Sequence, residues 1–119
     1  MTEAKLHTGG CHCRKVRYEV TAAVESAMGC NCSMCSKKGS LLTFVGEDAF
    51  TLKSGEGELT DYQFNKHNIH HTFCRTCGVT AFARGTAPDG KKMVAINVRS
   101  LDDFDLDAVA VKMHDGKSL

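Results

Sequence analysis

The sequence predicts a single domain, residues 1–119, of the all-β class, with helix confined to short turns. The first observation is a period of two, in which Val16, Tyr18 and Val20 alternate with charged residues. Such alternation is typical of a half-buried strand, because successive side chains of a strand lie on opposite faces. The second is a strong turn signal, Ala87 to Gly90, between two apolar stretches. The third is that no stretch has the repeat of a long amphipathic helix.

Two cysteines come just before the predicted strand that contains Val16, Tyr18 and Val20. Gly9 and Gly10 are expected to break the chain just before Cys11. Cys11 and Cys13 would point to one face if the strand began early, so both sulfur atoms could reach one ion. Two more strands are predicted in this half of the chain, Leu41 to Val45 and Phe50 to Lys53, on either side of the turn Gly46-Glu47-Asp48.

The second half continues the β pattern after a turn at Ser54 to Gly57. The predicted strands are Leu59 to Asn65, Ile69 to Phe73, Val79 to Arg84, Met93 to Val98, and a last one at Val109 and Val111. The turn at Ala87 to Gly90 predicts that the third and fourth of these form a hairpin. Ser100 is predicted to cap one short helical turn at Leu101 to Phe104.

Charge and hydropathy exclude several classes of function. The formal charge is +1 with acids and bases mixed along the chain, so no basic stripe indicates binding to nucleic acid. No apolar run approaches the roughly 20 residues that a membrane-spanning helix needs. The first residues, Met1 to His7, have no apolar signal-peptide core, so a cytoplasmic location is expected.

The seven cysteines are the main functional signal. An odd number with CxC and CxxC spacings is a poor disulfide framework and a good set of metal ligands. A reducing cytosol would keep the thiols available to Zn²⁺. They fall into three groups: Cys11 and Cys13; Cys30, Cys32 and Cys35; and Cys74 and Cys77.

Spacing leaves two groupings of these cysteines open. In the first, Cys32 and Cys35 join Cys74 and Cys77 in a four-cysteine zinc ribbon. In the second, Cys11 and Cys13 join Cys74 and Cys77, and Gly78 permits the tight backbone of the late CxxC knuckle. The second grouping leaves three local thiols, which can hold a zinc ion with one coordination position open.

Four motifs carry a resemblance to a known family. They are Gly10 to Cys13, Cys30 to Cys35 followed by Lys38-Gly39, Phe73 to Gly78, and Asn97 to Asp102, in that order. With these motifs the chain resembles the glutathione-dependent formaldehyde-activating enzyme family, whose domain is shared with centromere protein V. The resemblance extends from Gly10 to Phe104. It departs from the family at Arg14, where relatives usually have glycine.

The resemblance implies both a fold and two metal sites. The fold is the Mss-four-like, or β-tent, all-β zinc fold. The residues that match the structural zinc ligands of the family are Cys11, Cys13, Cys74 and Cys77. The residues that match its second, catalytic zinc site are Cys30, Cys32 and Cys35.

The resemblance also implies a reaction of carbon–sulfur lyase type. The name-giving activity joins formaldehyde to the thiol of glutathione, so the expected partner is a small thiol such as glutathione or its aldehyde adduct. A non-catalytic zinc module that binds a thiol or a protein is the alternative hypothesis. A redox switch that uses Cys32 and Cys35 is a third.

Charged residues near the cysteines complete the candidate site. Thiolates around Zn²⁺ leave net negative charge, and cations that flank the ligands can offset it: Arg14, Lys15, Lys37, Lys38 and Arg75. Surface solvation is the ordinary role of such side chains. Three histidines, His67, His70 and His71, are candidates for proton transfer, although strand alternation favours one in solvent and one packed. His12 is expected to point away from the metal.

Overall fold

Ten β-strands form most of the part of the chain that the computed structural model describes, which is residues 4–24, 26–30, 35–63, 69–102, 104 and 109–114. The strands are β1 Lys5–Gly10, β2 Arg17–Ala22, β3 Ser26–Cys30, β4 Leu42–Gly46, β5 Phe50–Ser54, β6 Leu59–Tyr62, β7 Ile69–Cys74, β8 Phe82–Thr86, β9 Lys92–Asn97 and β10 Ala110–His114. Helix within these ranges is limited to α1, Cys35–Lys38, and the 3-10 turns Glu47–Ala49, Glu56–Glu58 and Val98–Ser100. The predicted all-β class is confirmed. None of the described helices is long and apolar enough to cross a membrane.

The strands pair into two sheets. The small sheet has three strands in the order β1-β2-β5. The large sheet has seven strands in the order β10-β3-β4-β9-β8-β7-β6. All pairs are antiparallel except β10 with β3, which is parallel, with Ala110 opposite Ser26 and His114 opposite Cys30.

The core lies between the two sheets and is built on aromatic contacts. Tyr18 of β2 lies 5.5 Å from Phe50 of β5, and Phe50 lies 4.7 Å from Phe82 of β8, measured between ring centroids. Val94 and Ile96 of β9 are fully buried beside them. Because strand side chains alternate between faces, this fixes one face of the large sheet as the core face.

The predicted strands correspond to observed ones in both halves of the chain, except that β8 begins at Phe82, three residues after the predicted start at Val79. Tyr18 and Val20 of β2 are buried, as is Val16 just before it, as the period of two requires. The predicted strand Leu59 to Asn65 corresponds to β6, although Asn65 lies outside the described residues. The hairpin prediction is confirmed, since β8 and β9 pair with Phe82 opposite Ile96 and Thr86 opposite Lys92.

The expected break at Gly9 and Gly10 is wrong, because both residues belong to β1. Gly9 pairs with Tyr18 of β2, and a Cβ atom on Gly9 would lie 2.5 Å from the Tyr18 hydroxyl oxygen. Glycine is therefore required by close packing rather than by a turn. Cys11 and Cys13 accordingly lie in the connection between β1 and β2, not on one face of a strand.

The predicted helical turn after Ser100 is also wrong. The 3-10 turn comes earlier, at Val98–Ser100, and the chain is extended at Leu101. Asn97 caps this turn, since its side-chain oxygen accepts a hydrogen bond of 3.2 Å from the backbone N–H of Arg99. Asn97 and Ser100 are both residue types that favour the N-cap position, and the structure has Asn97 in that role.

Ser100 instead joins the segment to the core of the small sheet. Its hydroxyl oxygen lies 2.7 Å from the Tyr18 hydroxyl. Two residues later the Asp102 carboxylate accepts hydrogen bonds from the Arg17 guanidinium and from the Thr8 hydroxyl. The Asn97 to Asp102 motif therefore fastens the end of β9 to β1 and β2.

Candidate metal centre

Four thiols meet at one end of the two sheets. The sulfur atoms of Cys11, Cys13, Cys74 and Cys77 all lie within 4.8 Å of one another. The Cys13 sulfur is 3.5 Å from that of Cys11 and 3.6 Å from that of Cys74. Four sulfur ligands at about 2.3 Å from a tetrahedral zinc ion lie about 3.8 Å apart. This cluster can therefore hold a zinc ion with only small adjustments.

The first pair of thiols is held by the tight connection between β1 and β2. The Cys11 N–H donates to the Val16 carbonyl at 3.1 Å, and the Val16 N–H points at the Cys11 sulfur at 3.4 Å. The Arg14 N–H donates to the Cys11 carbonyl at 3.3 Å. Arg14 has a φ of 69°, in the left-handed region that glycine adopts most easily. The glycine that relatives usually have at this position would adopt this φ more easily than Arg14 does.

The second pair follows the end of β7. The Cys74 N–H donates to the Val79 carbonyl at 3.1 Å, and the Gly78 N–H donates to the Cys74 carbonyl at 2.7 Å. Gly78 has a φ of 79°, so the predicted need for glycine after the CxxC knuckle is confirmed. Cys74 is fully buried and Cys77 half-buried, which places the cluster at the edge of the core.

Glu58 braces the second knuckle, a role that no motif or spacing indicates. Its carbonyl accepts from the Arg75 N–H at 2.8 Å, and its carboxylate lies 3.4 Å from the Arg75 guanidinium and 3.1 Å from the Thr76 hydroxyl. Arg75 and then Thr76 lower the pKa of Glu58. Lys15 reaches across from the first loop to the Thr76 hydroxyl at 3.4 Å. Of the predicted flanking cations, Lys15 thus links the first loop to the second knuckle, and Arg75 holds the second knuckle to Glu58.

Backbone N–H groups favour the thiolate form at three of the four cysteines, although other effects oppose it. Those of Cys77 and Thr76 lower the pKa of Cys74. Burial opposes ionisation of Cys77, but the N–H groups of Cys13 and Val79 bring its pKa down to about 6. The N–H of Lys15 favours ionisation of Cys13, yet burial and the neighbouring sulfur atoms raise its pKa to about 12. A dication among the four sulfurs would offset the like charges that oppose ionisation.

Of the two groupings that spacing leaves open, the structure has the one in which Cys74 and Cys77 join Cys11 and Cys13. The backbone of Cys30 ends β3 and that of Cys35 begins α1. Cys32, and the side chains of Cys30 and Cys35, lie outside the described part of the chain. Their assignment to a second zinc site therefore stays a prediction.

The three candidate histidines have different surroundings. His67 lies outside the described residues. His70 is exposed, and its Nδ1 atom lies 2.6 Å from the Asp61 carboxylate. His71 is half-buried; burial lowers its pKa and the positive charge of Lys38, at the end of α1, lowers it further. One histidine is thus in solvent and the other is half-buried, as predicted.

The fold and the cluster define the class of protein. It is a small all-β protein with a four-cysteine cluster that can hold zinc. Residues 6–115 match the family described as glutathione-dependent formaldehyde-activating enzyme, and the chain belongs to that family. The structure is also similar to the crystal structure of a Rhodobacter sphaeroides protein, with a TM-score of 0.77 and 27% sequence identity over 88% of this chain and 99% of the other.

Proposed function

We propose that the protein is a zinc-dependent enzyme of carbon–sulfur lyase type that acts on thiol adducts of small aldehydes. The observation that carries the proposal is membership, over residues 6–115, of a family described as glutathione-dependent and formaldehyde-activating. The four-cysteine cluster supports a role for zinc in such a protein. Glutathione and its formaldehyde adduct are the first substrates to test.

The two groups of cysteines would have separate roles. Cys11, Cys13, Cys74 and Cys77 would hold a structural zinc ion, since four protein sulfurs complete a tetrahedral shell. Cys30, Cys32 and Cys35 would hold a second ion with one coordination position open. Zinc at such a position lowers the pKa of a thiol or polarises a carbonyl oxygen.

The proposed reaction is a reversible addition. The sulfur of the thiol forms a bond to the carbonyl carbon of the aldehyde, and the thiol proton passes to the carbonyl oxygen. In the lyase direction the carbon–sulfur bond breaks and the hydroxyl proton returns to sulfur. Neither direction needs an oxidant or a reductant.

His71 is the proposed carrier of this proton. It is half-buried on β7 and lies within electrostatic reach of Lys38. Lys38 ends the helix that Cys35 begins, so this end of α1 is close enough to His71 for its charge to act on the imidazole. His70 is a poorer candidate because it is exposed and paired with Asp61. Lys37 is exposed at the end of α1, where an ammonium group can bind a substrate carboxylate.

Thiol-dependent exchange of formaldehyde by the purified, zinc-loaded full chain tests the proposal. The rate would be followed by NMR exchange spectroscopy at several glutathione concentrations, against the non-enzymatic rate. Cys35→Ser is expected to return the rate to the non-enzymatic level. His71→Gln is expected to lower kcat by about a hundredfold, because positioned proton transfer contributes at least that much.

His70→Gln is the matched control for the histidine variant, since it removes a neighbouring imidazole from the same strand. It should keep nearly full activity. A zinc-loaded protein that accelerates no combination of thiol and aldehyde would contradict the proposal and favour the non-catalytic zinc module. Equal losses in the two histidine variants would remove the specific role of His71.

A further inference from the structure

A groove of about 330 Å³ crosses the face of the large sheet that is turned away from the core. Its floor consists of small residues in the two central strands, Ala83 and Gly85 of β8 and Ala95 of β9. Its walls include Phe44 of β4 and Ile69 of β7. Such a volume is at the lower end of the range for small-molecule sites.

The pairing of the strands builds this groove. Phe44 lies opposite Ala95, and Ala95 lies opposite Ala83, so the three side chains share one face. Val94 and Ile96, which alternate with Ala95 along β9, are fully buried on the core face. Small side chains between large ones therefore leave a trough on the outer face.

The groove is apolar although it is open to solvent. Phe44 and Ile69 keep 48% and 47% of their surface exposed. Within the described lining the only charged residue is Arg84, whose guanidinium lies 5.3 Å from the ring centroids of Phe50 and Phe82 in the core. The groove therefore offers apolar contact and no cation for the two carboxylates of glutathione.

One wall of the groove continues along β7 to His71, which Lys38 of α1 affects electrostatically. Ile69 and His71 are two residues apart on β7 and so share a face of the sheet. His71 lies within electrostatic reach of Lys38, the last residue of the short helix that Cys35 begins. A molecule that reacted at the second cysteine group could thus extend along the outer face into the groove.

We propose that this groove binds the hydrocarbon chain of the aldehyde, so that the preferred substrate is the thiol adduct of an aliphatic aldehyde longer than formaldehyde. The inference rests on the proposed function and deepens it by naming the class of aldehyde. The carbonyl carbon would accept the sulfur at the second cysteine group while the alkyl chain lies over Ala83 and Ala95. The proton balance is that of the addition described above.

Binding can be measured without catalysis by using unreactive alcohols as probes of the chain. The zinc-loaded full chain would be labelled with ¹³C at the alanine methyl groups and titrated with 1-propanol, 1-butanol and 1-hexanol. The Ala83 and Ala95 methyl signals should shift, and the Kd should fall about fourfold for each added methylene. The exposed Ala110 methyl on β10 is the internal reference and should not move.

Two variants and a matched control test the location. Ala95→Leu fills the trough and should weaken binding of 1-hexanol by at least about tenfold. Ala110→Leu makes the same change on an exposed strand outside the groove and should leave binding unchanged. Phe44→Ser removes the half-exposed aromatic ring that forms one wall of the groove, and it should also weaken binding. This variant replaces Ala95→Leu in the test if that protein fails to fold.

Turnover separates this inference from the proposed function. The kcat/KM for hexanal with glutathione should exceed that for formaldehyde, and Ala95→Leu should remove the preference. Equal kcat/KM for the two aldehydes, or alcohol shifts as large at Ala110 as at Ala83, would overturn the inference alone. Methyl shifts that depend on protein concentration without alcohol would mean that a second copy covers the groove, which also overturns it. Loss of turnover with every aldehyde would overturn the proposed function, while the alcohol titration still decides whether the groove takes a hydrocarbon chain.

Discussion

At the scale of single residues, Arg14 has a backbone conformation that is unfavourable for an L-amino acid. Its φ of 69° is the only positive value among the described residues other than glycine. The tight loop around Cys11 imposes this conformation, because the Arg14 N–H must turn back to the Cys11 carbonyl. An L-residue in the left-handed region costs roughly 1–2 kcal/mol. The loop between β1 and β2 therefore carries strain that the rest of the fold must compensate.

Replacing Arg14 with glycine should stabilise the protein. Relief of the left-handed strain exceeds the greater unfolded-state entropy of glycine, which opposes it by about 0.5–1 kcal/mol, so a net gain of about 0.5 kcal/mol is expected. Urea denaturation of the zinc-loaded protein would measure it. Lys15→Gly, at the adjacent position without a positive φ, is the control and should be destabilising. Equal destabilisation by the two substitutions would show that Arg14 is not strained.

At the scale of the elements, the strands that alternate clearly were predictable. The strands that do not alternate were missed. β1 ends in Gly9-Gly10, which normally signals a break, and only the packing of Tyr18 explains why glycine is needed there. β3, Ser26–Cys30, contains Gly29 and pairs in parallel with β10, a long-range contact that leaves no local signal. Local patterns carry no information on such tertiary requirements.

The two knuckles join elements of different sheets. Cys11 and Cys13 follow β1 of the small sheet, whereas Cys74 ends β7 of the large sheet. A metal held by both knuckles would fasten the sheets to each other. Cys11→Ser is therefore expected to unfold or aggregate the protein, because structural zinc binding of about 10–16 kcal/mol is comparable to the whole stability of a domain. Cys35→Ser should leave the protein folded.

Thermal unfolding followed by circular dichroism, with zinc content measured in parallel, distinguishes the two variants. Cys11→Ser should lose the cooperative transition, and Cys35→Ser should keep a melting temperature close to that of the unaltered protein. If the melting temperature fell by the same amount in both variants, the assignment of one structural and one separate cysteine group would be wrong. Far-ultraviolet spectra should in either case lack a dominant helical signal, since the α-helix in the described part of the chain, α1, has four residues.

At the scale of the whole molecule, the position of the cluster was not predictable from spacing. Cys13 and Cys74 are 61 residues apart in the chain, yet their sulfur atoms are 3.6 Å apart. The CxC and CxxC spacings indicate which cysteines can act as a pair, but not which pairs meet. That depends on how β2 and β7 are placed by the core around Tyr18 and Phe82. The outer groove was unpredictable for the same reason, because Phe44 and Ala95 meet only through sheet pairing.

The proposed division into a closed and an open site makes a prediction about the whole protein that needs no turnover. Cobalt replacing zinc would occupy both sites, and only the open one has a position for an added ligand. Glutathione should therefore change the visible absorption of the cobalt protein and release a proton, since a metal ligand of this kind binds as thiolate. The apparent affinity should rise with pH until the free thiol is itself ionised, near its usual pKa of about 8.5.

The Cys35→Ser variant separates the two sites within this spectrum. It should lose the response to glutathione and keep the four-sulfur spectrum of the cluster formed by Cys11, Cys13, Cys74 and Cys77. Because the closed site already has four sulfur ligands, a small thiol has no position to take there without displacing a cysteine from the core. The absorption spectrum could instead show two closed four-sulfur sites, or it could stay unchanged with every thiol added. Either result would mean that the open site required by the proposed chemistry does not exist. The same domain would then be a zinc-stabilised binding module.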